Sequence, residues 1–254
     1  MSNKTFTRSY AQRDIKTLFG KAAFRCAECR SLCYVDPTDQ DELVVTGEIA
    51  HIIASSDNGP RGDPEFPVSE RNKYPNLILL CGICHEKIDG QHNTYTIDYL
   101  KNRKRAHEEW VSEQLADCVA EIVFSELDVL LSALARQQSG VRSDGFSLIT
   151  PNEKLEKNTL SGEVQRLIAT GLMRQDDVAG LLSDLAKIDD SIPGRVVSRF
   201  KSEYTRLRGE GLHGDSLFYG LLEFASLRRP SFREQSLGLI VLTHLFVLCE
   251  VFES

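Results

Sequence analysis

Two Cys-x-x-Cys pairs, Cys26–Cys29 and Cys81–Cys84, constrain this chain more than any other feature of it. Each pair can place two thiolates on one tetrahedral zinc. Joining pairs that lie about fifty residues apart requires a β-hairpin and its loop to fold between them. The opening MSNKTFTRSY lacks the apolar core of a signal peptide, and no apolar run approaches the roughly 20 residues of a membrane span. These features point to a cytoplasmic protein without a membrane segment. Its seven cysteines are then reduced, and paired cysteines in that setting read as structural zinc rather than disulfide. Cys33 is a spare candidate, whereas Cys118 and Cys249 fall in apolar helical context and read as core.

The formal net charge of −7 argues against indiscriminate binding to nucleic acid. The basic residues are nonetheless clustered. Residues 1–33 carry Lys4, Arg8, Arg13, Lys16, Lys21, Arg25 and Arg30 against Asp14 and Glu28, and KNRKR occupies 101–105. Such patches can touch phosphate without making the whole surface adhesive, or they can be ordinary solvated faces.

Pattern divides the chain in three. Residues 1–110 are mixed: a short basic helix near 9–23, the cysteine pairs, a β-like LVVTGEIAHII, and a Gly- and Pro-containing loop without apolar period. Apolar residues then recur at helical spacing through 106–138, which predicts one long amphipathic helix, followed by a break near 139–150. Residues 111–150 are thus read as a connecting helix and linker. Residues 151–254 are helical in period, with helices expected at about 151–170, 174–190, 194–209, 214–227 and 231–252. The last is apolar almost all round, so it is either central or docked on a partner. The fold class expected is α+β, a small zinc-stabilised domain followed by an all-α domain.

The residues threaded around the cysteines carry the chemistry. His51 lies in the alternating GEIAHIIA, Asn76 opens NLILLC, and His85 starts a helix directly after Cys84. Asp89 follows at i+4, on the same helical face as His85, which makes the two a platform for a second metal. Singly, each has an ordinary structural reading. In the order His, Asn, His-x-x-x-Asp, interlaced with two cysteine pairs, they form a set.

The combination GEIAHIIA, GPRGD and NLILLCGICHEKID resembles the HNH nucleases, in their zinc-stabilised ββα-metal form. The likeness covers roughly residues 20–110. It implies that His51 is the general base, that Asn76 orients the strand bearing it, and that His85 and Asp89 are ligands of a catalytic Mg²⁺ or Mn²⁺. Phosphodiester hydrolysis suits these residue types: a neutral imidazole takes a proton from water, and a hard cation neutralises charge on the phosphate. Arg61, in GPRGD, is a candidate bidentate donor to phosphate. The chain departs from the family at Ala50, where many members carry a further ligand. Glu48, on the same strand face, is the candidate replacement. His107 and Trp110 read as structural.

The helical end, including NEKLEKNTLSGEVQRLI and LGLIVLTHLFVLCEVFES, resembles the C-terminal domain of effectors of ABC-three-component anti-phage systems. That resemblance implies docking on an ABC/SMC-type ATPase with a small third component. Without it, the same helices read as a bundle for homo-oligomerisation. Three functions follow: a metal-dependent DNA endonuclease acting in such a complex, a zinc module with a degenerate site that binds DNA or a partner, and a stand-alone restriction enzyme for modified DNA.

Overall fold

The computed structural model describes residues 9–136 and 158–248. The chain divides into two compact units, Met1–Val111 and Ser112–Ser254.

The first unit is built on two short antiparallel pairs. Strands β1 (Tyr34–Val35) and β2 (Val44–Val45) form one; β3 (Gly47–His51) and β4 (Leu77–Cys81) form the other. In the second pair Gly47 faces Cys81, Glu48 faces Leu80 and His51 faces Leu77. The continuous apolar run of β4 has Leu77 to Leu80 fully buried, as expected of a strand covered on both faces. Leu18 and Ala22 of helix α1 (Gln12–Ala22) and Ile88 of helix α3 (Gly82–Gly90) join these leucines in one core. Strand β3, strand β4 and helix α3 therefore make a ββα unit.

The segment between β3 and β4 is irregular, apart from helix α2 (Val68–Arg71) and a 3-10 turn at Tyr74–Asn76, but it is far from loose. Two arginines knit it together. Arg71 donates to the carbonyls of Ser55, Asp63 and Phe66 and to Asp57 Oδ1 at 2.5 Å. Arg61 closes the other end. Gly62 is dictated by space, because a Cβ there would lie 2.1 Å from the Asp57 carbonyl oxygen.

Helix α4 (Ile97–Glu121) begins in the first unit and ends in the second. Its Lys104 is buried, donating to the carbonyls of Tyr74 and Leu77 at 2.7 and 2.6 Å. His107 is also buried, with Nε2 3.3 Å from the Ala22 carbonyl. Trp110 lies beside the His107 ring and under the Arg30 guanidinium. Both residues have the packing roles expected of them.

The single long helix expected over 106–138 is two helices, α4 and α5 (Phe124–Arg136), with a break at Ile122–Val123. Glu126 supplies the reason: its carboxylate accepts from the Val123 N–H at 3.0 Å, starting a new helix. Helix α5 is not a free connector. Leu127, Leu130, Leu131 and Leu134 are buried in the second unit.

That unit continues with α6 (Gly162–Leu172), α7 (Gln175–Ile188), α8 (Ile192–Gly209), α9 (Gly214–Ala225) and α10 (Phe232–Val247). Helix α6 begins where Ser161 caps it by accepting from Val164 N, and residues 151–157 of the helix expected there lie outside the described residues. Every residue from Gln235 to Phe246 in α10 is buried, so this helix is the centre of the bundle. Residues 139–150 and the chain end after Leu248 lie outside the described residues.

Candidate functional site

The sulfur atoms of Cys26, Cys29, Cys81 and Cys84 all lie within 4.8 Å of one another. A tetrahedral zinc with Zn–S of about 2.3 Å holds its sulfurs about 3.8 Å apart. Cys29 and Cys81 are separated by 3.8 Å. The four cysteines therefore form a site that can hold a metal ion such as zinc. Cys26 and Cys29 sit in the turn after α1, while Cys81 ends β4 and Cys84 lies in the first turn of α3. Burial opposes ionisation of Cys29, but hydrogen bonds from the hydroxyl and amide of Ser31 outweigh it and bring the thiol down to about 6. Burial pushes the Cys33 thiol up to about 12, the neighbouring Cys26, Cys81 and Cys29 adding to the effect. Cys33 is a packed neighbour of the cluster rather than a fifth member.

Glu28, inside the first knuckle, escaped the sequence reading. Its carboxylate accepts from Lys87 Nζ at 3.1 Å, Tyr99 Oη at 3.0 Å and Arg103 Nε at 3.1 Å. It ties the knuckle to α3 and α4. The basic clusters shrink accordingly: Arg103 pairs with Glu28, Lys104 is buried, and Lys21 lies buried over the Tyr74 ring. Lys101 and Arg105 remain exposed, and Lys4 and Arg8 lie outside the described residues.

His85 stands between two carboxylates. Its Nδ1 lies 2.5 Å from Glu48 Oε2, and its Nε2 lies 3.3 Å from Asp89 Oδ2, one helical turn on. Glycine at position 82 leaves room for this, since a Cβ there would come within 3.2 Å of Glu48 Oε1. The hydrogen bond with Asp89 raises the His85 pKa; burial opposes the rise and Glu48 adds to it. Burial works against ionisation of Asp89, but His85 and Arg61 outweigh it and hold the carboxyl below its usual range.

Glu48 thus meets the helix, as its side of the strand suggests, but not as a ligand shared with Asp89. The two carboxylates occupy opposite nitrogens of one imidazole. Among the described residues, the four cysteines alone form a group of three or more metal-ligating side chains with all ligand atoms within 4.8 Å. The pair that can share a cation is His85 Nε2 with Asp89. Their separation suits neighbouring positions around an ion with ligand distances of about 2.1 Å.

Arg61 is not a phosphate contact. Its side chain is 4% exposed, and its donors reach the Ile52 carbonyl at 3.0 Å, the Ile88 carbonyl at 3.2 Å and Asp89 Oδ1 at 2.5 Å. Nη2 also reaches the His51 carbonyl at 3.4 Å. One guanidinium nitrogen therefore joins the strand end that carries His51 to the helix that carries Asp89. The arginine adopts a left-handed backbone conformation, φ 60°, in doing so.

Asn76 is buried and braces the backbone beyond His51. Its Oδ1 accepts from Ile53 N at 2.9 Å, and its Nδ2 donates to the carbonyls of Ile53 and Arg71 at 2.8 and 2.9 Å. The His51 ring is instead met by Asn72, whose Oδ1 lies 2.9 Å from Nε2, and by the Tyr10 ring at 5.8 Å between centroids. His51 is 8% exposed. Ala50 is buried in the core and offers no ligand.

In comparison with known proteins, the chain matches no family model and no curated protein. No helix among the described residues is long and apolar enough to cross a membrane.

Proposed function

We propose that the chain is a metal-dependent HNH-type endonuclease that hydrolyses DNA phosphodiester bonds. The observation that carries this reading is the Arg61 bridge, which fastens the His51 strand end to Asp89 while His85 faces Asp89 on the same helix.

In this reading His51 accepts a proton from the attacking water as the new phosphorus–oxygen bond forms and the bond to the leaving oxygen breaks. His85 and Asp89 would hold a Mg²⁺ or Mn²⁺, which would supply Lewis-acid neutralisation of charge on phosphate and leaving oxygen. Glu48 accepts the Nδ1 hydrogen of His85 and so turns the Nε2 lone pair toward the cation position, a role in place of the direct ligation first expected of it. Asn76 holds the backbone that aims His51. The thiolate cluster, loaded with zinc, fixes where α3 begins.

The helical unit is carried as the half that docks on an ABC/SMC-type ATPase in an anti-phage complex, a reading that rests on its likeness to such effectors. The shallow exposure of His51 favours a second reading, a zinc-bearing module that binds DNA or a partner without cutting. Supercoiled plasmid incubated with the protein and Mg²⁺ or Mn²⁺, alone and with an ABC/SMC-type ATPase that co-purifies with it, separates the two. Nicking or linearisation that disappears in His51→Ala and His85→Ala supports the enzyme. Cleavage that survives His51→Ala removes the assigned base, and intact plasmid throughout favours the binding module.

A further inference from the structure

Among the described residues, three side chains hold His51 or the chain just after it. Arg61 holds its carbonyl, Asn76 holds Ile53 two residues on, and Asn72 alone among these three reaches the ring. Which way the Asn72 amide faces is decided by a third residue. Its Nδ2 donates to the Ser9 carbonyl at 3.3 Å, and a carbonyl only accepts. The amide oxygen must then point at His51 Nε2, 2.9 Å away. That oxygen also only accepts, so Nε2 carries the hydrogen. In the neutral ring the lone pair is on Nδ1.

We propose that Asn72 is the positioning residue that fixes His51 in its Nε2–H tautomer and so makes Nδ1 the atom that takes the proton from water. The catalytic meaning of this rests on the nuclease reading; the tautomer does not. Asn72 sits where α2 ends, directly after Arg71, whose carbonyl accepts from Asn76 Nδ2 at 2.9 Å, so its amide is delivered from a tied-down part of the loop. The Tyr10 ring beside the imidazole restricts rotation of its plane. Ser9 and Tyr10 reach the site together, so the segment before α1 takes part in setting the base.

The test uses the full zinc-loaded chain labelled with ¹⁵N-histidine. Long-range ¹H–¹⁵N spectra are recorded at a pH where the ring is neutral, with His51 identified by its loss in His51→Gln. Wild type should show His51 as Nε2–H. Asn72→Asp, which keeps an accepting oxygen, should preserve that pattern, and Asn72→Leu should give a mixture of tautomers. In the plasmid assay Asn72→Leu should lower kcat about ten- to a hundredfold, with KM changed by no more than about twofold. Asn72→Asp should recover part of the rate. An Nδ1–H ring in wild type, or an unchanged ring in Asn72→Leu, overturns the proposal. If no protein cleaves, the nuclease reading fails while the spectra still decide the role of Asn72. Should Asn72→Leu not fold, wild type and Asn72→Asp carry the test.

Discussion

Arg61 is bound to Asp89 through a 2.5 Å contact in which the cation is 4% exposed and the anion 37% exposed. A buried guanidinium with a half-open partner holds structure together, because removing one side strands the other. Arg61→Ala also strands the Ile52 and Ile88 carbonyls, and is expected to destabilise the first unit by about 1–3 kcal/mol, read from urea unfolding. It should leave the salt dependence of DNA binding unchanged, since each lost phosphate contact would reduce the slope by about one. A near-neutral melt with a shallower salt slope would restore the phosphate role instead.

The four-cysteine cluster predicts one zinc per chain, measured by elemental analysis. Cys84→Ser should lose that zinc and the cooperative unfolding of the first unit, since structural zinc contributes folding free energy directly. Cys33→Ser is the control. It should keep the metal, because Cys33 is a packed neighbour and not a ligand. Zinc lost from Cys33→Ser but retained by Cys84→Ser would reassign the site.

Glu48→Ala should weaken the Mg²⁺ or Mn²⁺ dependence of cleavage about ten- to a hundredfold, the usual effect of removing a carboxylate that orients a ligating histidine. Glu48→Gln keeps an accepting oxygen and should lose much less. If the two variants fall equally far, the charge of Glu48 matters and direct ligation becomes the better account.

His107 gives an acid limb. Burial pushes its imidazole down to about 4, partly offset by a hydrogen bond with the Ala22 carbonyl. The folded pKa is below the unfolded value near 6.5, so the unfolded chain binds the extra proton. Stability is complete above about pH 6.5 and falls as pH drops toward 4, by at most about 3 kcal/mol. Urea titrations at pH 7 and pH 5 on wild type and His107→Phe should show a steeper acid loss in wild type. Parallel losses would mean that His107 does not carry the limb.

How much of this was legible in the residues follows from whether each signal is local. The pairing of four cysteines, the partnership of His85 with Asp89, and the strand-facing position of Glu48 come from spacing, and spacing is printed in the sequence. The side of the imidazole that Glu48 reaches depends on where two elements cross, and nothing local sets it. Arg61 looked like a surface donor because it lies in a Gly-Pro loop; its burial depends on partners 9 to 28 residues away. Asn72 was hidden for the same reason, in a stretch without apolar period. The break at Val123 was available locally: Glu126 stands three residues on, ready to accept its N–H, and the helical apolar spacing concealed it.

The thiolate cluster also sets an order of events. Cys26 and Cys29 have no partners until the chain has been synthesised past Cys84, so metal capture closes a loop of about fifty residues late in the making of the first unit. Cys81 is the N-cap of α3 and Cys84 lies in its first turn, so the cluster sits at the start of the helix that carries His85 and Asp89. A cell starved of metal would therefore make a chain whose second cation position never assembles. In the nuclease reading proposed above, the supply of one ion would be an interlock on the use of another.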